Sequence, residues 1–105
     1  MFEGIKCEDH PNEFYDLPEE TQKYVLAIIT DYLSPIKSYN RSVTSYGLKH
    51  LIQKEKFGNL YLTNGQFKGA MLLSGFNAAD TSKQNWHFNV SKRSVSDLKE
   101  YVGRF

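Results

Sequence analysis

A chain of 105 residues, 40% hydrophobic and 24% charged, has room for one core and one domain and is too apolar to be a disordered polymer. No apolar run approaches the ~20 residues of a membrane helix, and the start, Met1-Phe-Glu-Gly-Ile-Lys, lacks the basic and apolar regions of a signal peptide. The single cysteine, Cys7, excludes an internal disulfide and fits a reducing, cytoplasmic setting, and the net charge of +1 excludes a strongly polyanionic or polycationic chain.

Residues 1–15 hold Phe2, Ile5, Cys7, Phe14 and Tyr15, too much apolar surface for a free tail, and read as a packed arm with a turn at His10-Pro11-Asn12. A core helix follows over 16–34. Asp16 and Glu19 have capping-box spacing, Pro18 suits a first turn, Val25, Ile28, Ile29, Tyr32 and Leu33 form one face, and Ser34-Pro35 stops it. Ile36 to Arg41 connects it to a central helix–strand–helix over 44–76. Thr44 or Ser45 caps the first of these helices, Leu48, Leu51 and Ile52 form its apolar face, and Gly58 stops it. Leu60-Tyr61-Leu62 alternates as a very short strand. Thr63 and Gln66 then make a capping box, Leu62 and Phe67 have staple spacing, and Gly75 closes the helix with Phe76 folded back towards Met71. Gly69 within this helix suits the close approach of another element. After a polar loop over 77–85, Trp86-His-Phe-Asn-Val90 reads as a strand, with Trp86, Phe88 and Val90 inward and His87 and Asn89 outward. Its natural partner is Leu60–Leu62. Ser94, with Asp97 three residues on, opens a last helix, so that 86–105 is strand plus helix. The expected fold is a single α+β domain, mostly helical, with four helices and a small two-stranded sheet, distantly like a winged helix.

Charge is distributed unevenly along this chain. Residues 1–34 carry eight acidic residues against Lys6 and Lys23, a net −6, and residues 35–105 carry eleven basic residues against four acidic ones, a net +7. Either one surface attracts polyanions, or the two halves neutralise each other on folding.

No residue pattern specifies a reaction. Cys7 and His10 are two ligands where a structural zinc site needs about four, and the acidic neighbours Glu3, Glu8 and Asp9 disfavour a reactive thiolate. Gly65 and Gly69 lack the lysine and hydroxyl pair of a phosphate-binding loop, and Glu55, Asp80, Asp97 and Glu100 each have a plainer role than acid–base chemistry. The chain therefore reads as non-enzymatic, with no metal and no cofactor. The strongest positive signal is for nucleic acid: Lys49, Lys54, Lys56, Lys68, Lys92 and Arg93, with Gln66, lie on or beside the central helices and the following strand. The central helices have the polarity of a helix-turn-helix, but Gly58 to Thr63 is longer than its 3–4-residue turn, and base-reading side chains are few. The alternative is a protein interface made by Glu8, Asp9 and Glu13 of the acidic arm with Tyr39, Tyr46 and Tyr61, which could equally stack bases.

Across Thr44-Ser-Tyr-Gly-Leu-Lys-His50, Tyr61-Leu-Thr-Asn-Gly-Gln-Phe-Lys-Gly-Ala-Met71 and Asn85-Trp-His-Phe-Asn-Val-Ser91, the chain resembles small proteins of phages and integrative mobile elements of Gram-positive bacteria. The likeness spans roughly residues 16–95 and carries over no functional residue. It implies a setting rich in small regulators, replication accessories and inhibitors of host defence. The expected role is a non-catalytic accessory or regulatory protein that binds nucleic acid or a nucleoprotein complex. The alternative is an inhibitor, of anti-CRISPR or anti-restriction type, that binds a host defence nuclease.

Overall fold

The computed structural model describes residues 2–103, so Arg104 and Phe105, the end of the segment read as 86–105, lie outside it. Four α-helices are formed: α1 (Glu19–Tyr32), α2 (Ser45–Ile52), α3 (Asn64–Leu73) and α4 (Lys92–Val102). Two short 3-10 helices, Pro11–Asp16 and Glu55–Phe57, complete the regular structure. Among the described residues no helix is long and apolar enough to cross a membrane.

The expected two-stranded sheet does not form, and the winged-helix likeness goes with it. Trp86 to Val90 is extended, but it meets two irregular segments through isolated bridges, Pro35 to Val90 and Ala78 to Phe88. The Ile36 and Asn40 amides donate to the Asn89 and Phe88 carbonyls on one side, and the Ala79 amide donates to the His87 carbonyl on the other. Leu60–Leu62 is excluded from this pairing by a side chain. The Leu62 amide donates to Gln53 Oε1 at 2.8 Å, and the next amide, that of Thr63, donates to Gln66 Oε1 at 2.9 Å. With those donors satisfied locally, no ladder is required to pair them.

The periodicity of 86–90 holds on one face only. Trp86, Phe88 and Val90 are buried, but Asn89, expected outside, is buried as well. Its side chain bridges the flanking segments: Oδ1 accepts from the Asn77 amide at 2.7 Å and Nδ2 donates to the Ile36 carbonyl at 2.9 Å. A polar residue at this position replaces part of the missing sheet pairing.

α3 is the centre of the molecule, packing against α1, α2 and most extensively the first 3-10 helix. Its capping box is complete, with Thr63 Oγ1 accepting from the Gln66 amide at 3.0 Å. At its far end the Gly75 amide donates to the Leu72 carbonyl and the Phe76 amide to the Met71 carbonyl, the Schellman pattern, with Gly75 at φ +93° where a side chain would be strained. Phe67, Ala70 and Met71 are fully buried beside Leu48, Ile52, Val25 and Ile29. The opposite side of α3 carries Gly65 and Gly69, over which the first 3-10 helix lies: a Cβ on Gly69 would strike the Pro11 carbonyl oxygen and stand 2.6 Å from the Phe14 Cβ.

Three helix starts differ from expectation. Asp16 is the last residue of the first 3-10 helix rather than a cap, and Pro18 precedes α1 with no side-chain cap. Of Thr44 and Ser45, Thr44 caps α2, while the Ser45 hydroxyl accepts from the Trp86 amide at 3.0 Å. α4 begins three residues early because Ser91, not Ser94, accepts from a first-turn amide.

Candidate functional site

The candidate residues do not form one basic face. Lys68 is fully buried. Its ammonium donates to the carbonyls of Glu8 at 2.9 Å, Asp9 at 3.1 Å and Lys83 at 3.5 Å, lies 3.6 Å from Cys7 Sγ, and stands 4.6 Å from the centre of the Trp86 ring. It ties the N-terminal arm and the 77–85 loop to α3 and presents nothing to a phosphate. Gln66 is occupied by the capping box. Lys54 and Lys56 are exposed around the second 3-10 helix, with the Lys56 ammonium 5.2 Å from the centre of the Tyr101 ring. Lys92 and Arg93 are exposed in the first turn of α4, where Arg93 faces Asp97 at 3.9 Å.

The acidic set is also partly consumed inside the fold. Glu13 Oε1 accepts from the Thr63 hydroxyl at 2.8 Å, placing a carboxylate at the N-terminus of α3, where the helix dipole favours it. Asp9 Oδ2 accepts from Gln84 Nε2 at 3.0 Å and from Asn64 Nδ2 at 3.4 Å. Glu8 is exposed, though its carbonyl holds Lys68. Here the acidic arm lies directly on the basic centre of the sequence. Cys7 and His10 have internal partners too: His10 Nδ1 accepts from the Asn12 amide, which leaves Nε2 to donate to the Ile5 carbonyl at 2.8 Å. Among the described residues no three His, Cys, Asp or Glu side chains gather as a metal-binding group.

What the fold does bring together is drawn from both candidate sets. Lys49, Tyr46, Tyr61 and Asp9 line one cleft of about 450 Å³, between α2, the 61–64 segment and the end of the polar loop. Tyr61 at 78% exposure and Tyr46 at 52% stand at its mouth, while Lys49 is only 6% exposed. The Tyr46 ring is held edge-to-face against His50 at 4.4 Å, with the Lys49 ammonium 5.2 Å from its centre. That ammonium also donates to Gln53 Oε1 at 3.2 Å, the same oxygen that receives the Leu62 amide. Burial lowers the Lys49 pKa, an effect opposed by the charge of Asp9.

Sequence reasoning missed the polar floor of this cleft. Asn64 Nδ2 donates to the Gln84 carbonyl at 2.9 Å and to Asn85 Oδ1 at 3.0 Å. A carbonyl only accepts, so this contact fixes the orientation of the Asn64 amide, and its buried Oδ1 has no partner. The only sequence signal was an asparagine just inside a capped helix, which reads as ordinary first-turn chemistry. Tyr39, 41% exposed, is outside this cleft and stacks loosely with Arg41 at 6.0 Å.

The cleft's chemistry is that of recognition: two aromatic faces, one buried cation, and amide side chains able to donate and accept. No protein-family model matches the chain, and no curated protein and no solved structure matches it.

Proposed function

We propose that the chain is a non-catalytic protein that binds single-stranded nucleic acid, with bases stacking on Tyr61 and Tyr46 and Lys49 supplying a cation beneath them. The observation that carries this reading is the pairing of two exposed tyrosines over a polar cleft with a nine-tenths-buried lysine in its wall. Aromatic faces accept any base, whereas reading a duplex groove calls for a projecting helix rich in base-contacting side chains. The helix expected to supply them, α3, is the buried centre of the fold. Asp9 offsets Lys49, so stacking rather than phosphate attraction dominates at this cleft.

The setting implied by the resemblance, a phage or mobile element, suits a small accessory protein of this kind. An inhibitor of a host nuclease would use Glu8, Asp9 and Glu13, and two of these are hydrogen-bonded within the chain. The observations therefore favour the strand.

In fluorescence anisotropy with labelled single strands and duplexes, the single strand binds more tightly. Tyr61→Ala and Tyr46→Ala each weaken it by about tenfold, the equivalent of ~1–3 kcal/mol per stacked base. Equal or tighter binding of duplex, or binding indifferent to both tyrosines, overturns the reading. Absence of any binding near 50 mM salt, where phosphate contacts are strongest, transfers the tyrosines to a protein interface.

A further inference from the structure

A second cleft, of about 440 Å³, lies beside the first and is lined by Arg41, Asp80, Lys83, Gln84, Asn85 and His87, with Ala79. Gln84 and Asn85 belong to both. They form a ridge between the clefts, and that ridge is fixed from below. The Lys83 carbonyl accepts from Trp86 Nε1 at 2.9 Å and from Lys68, the Gln84 carbonyl and Asn85 Oδ1 accept from Asn64, and Gln84 Nε2 donates to Asp9. Such anchoring holds the two clefts in a set relation before any ligand arrives, which lowers the ordering cost of binding.

The second cleft has a different character from the first. Arg41 and Lys83 are exposed cations with no carboxylate partner among the described ion pairs. Asp80 is the single acid there, and both the amide and the hydroxyl of Ser82 donate to its Oδ1, at 3.0 and 2.6 Å. His87 Nδ1 lies 2.9 Å from the Val43 carbonyl and must therefore donate, which leaves Nε2 as the nitrogen not engaged by that bond. Two cations and a histidine against one hydrogen-bonded carboxylate make a site for anionic oxygen, where the first cleft offers aromatic faces and a balanced charge pair.

We infer that a single strand stacked at Tyr46 and Tyr61 continues across the Gln84–Asn85 ridge and places a backbone phosphate between Arg41 and Lys83. The inference rests on the nucleic-acid reading and extends it: the first cleft supplies stacking, the second supplies most of the salt dependence. Guanidinium and ammonium groups act here through phosphate, so the preference is for strand length rather than for sequence.

The test compares labelled single strands of about four and about eight nucleotides, lengths chosen to cover one cleft or both. Wild-type protein binds the longer strand at least tenfold more tightly. In the Arg41→Gln/Lys83→Gln double variant that advantage disappears, binding of the short strand is unchanged, and the slope of log K against log salt falls by about 1.4, or ~0.7 for each lost phosphate contact. Both side chains are exposed, and a thermal unfolding curve matching wild type confirms that the variant is folded. If the longer strand gains nothing, or the slope is unmoved while Tyr61→Ala still weakens binding, the second subsite is wrong and the first reading stands. If wild type binds neither length, both fall together.

Discussion

Lys68→Met lowers the stability of the folded chain by about 3–5 kcal/mol, the range for removing one partner from a buried charged network. Methionine fills nearly the same volume, so the loss isolates the polar contacts. Without the ammonium the Glu8, Asp9 and Lys83 carbonyls lose a charged donor in a buried setting, and Trp86 loses its cation. The damage is directional. Urea denaturation reports the loss, and limited proteolysis shows new cleavage in residues 2–9 and 77–85 rather than in α1 or α4. A variant as stable as wild type would mean that the buried lysine contributes nothing net. The pH dependence provides a second reading. Burial lowers the Lys68 pKa, so the unfolded chain binds this proton more tightly than the folded one. Stability referable to Lys68 therefore rises with pH between its folded-state pKa and the ordinary value of about 10.4, and the difference between wild type and Lys68→Met grows over that alkaline window.

Gly69→Ala destabilises by about 1–3 kcal/mol through overpacking, and Gly69→Val by more. On an exposed helix the same change would stabilise by nearly 1 kcal/mol through helix propensity, so the sign itself is diagnostic. The new methyl group meets backbone, the Pro11 carbonyl, which cannot swing aside as a flexible side chain can. Gly65→Ala follows the same logic against the His10 carbonyl oxygen at 2.5 Å and the Glu13 carboxylate. Thermal unfolding of the two variants decides the matter: a Gly69→Ala protein more stable than wild type would show that the first 3-10 helix does not lie against α3.

What was legible in the sequence was local. The Thr63 and Thr44 caps, the Gln66 return bond, the Gly75 stop and the place of Gly69 each depend on residues within a few positions of one another or on the absence of a side chain. Pairing of extended segments depends on partners far along the chain, and there the expectation failed: Gln53, nine residues back, satisfies the Leu62 amide, and residues 34–40 and 77–79 take the edges of 86–90. Lys68 misled for a related reason. It shares its helical face with Gly65 and Gly69, and a lysine between two glycines reads as exposed until the 3-10 helix that needs those glycines is in place. Charge reversal at Lys68 would consequently report on folding and not on binding. Of the candidate site, tyrosines and Lys49 were visible as residue types, but the cleft joining them was not, since Asn64, Gln84 and Asn85 carry no spacing signature.

The most direct test of the central claim is residue-resolved. Backbone and side-chain amide NMR spectra of labelled protein, recorded while an unlabelled single strand is added, locate the contact without a mutation. The account predicts shifts concentrated at Tyr46, Lys49, Tyr61, Gln84 and Asn85, with α1 and the Lys54–Lys56 segment silent. Shifts centred on Lys54, Lys56, Lys92 and Arg93, or none at saturating strand, would contradict it.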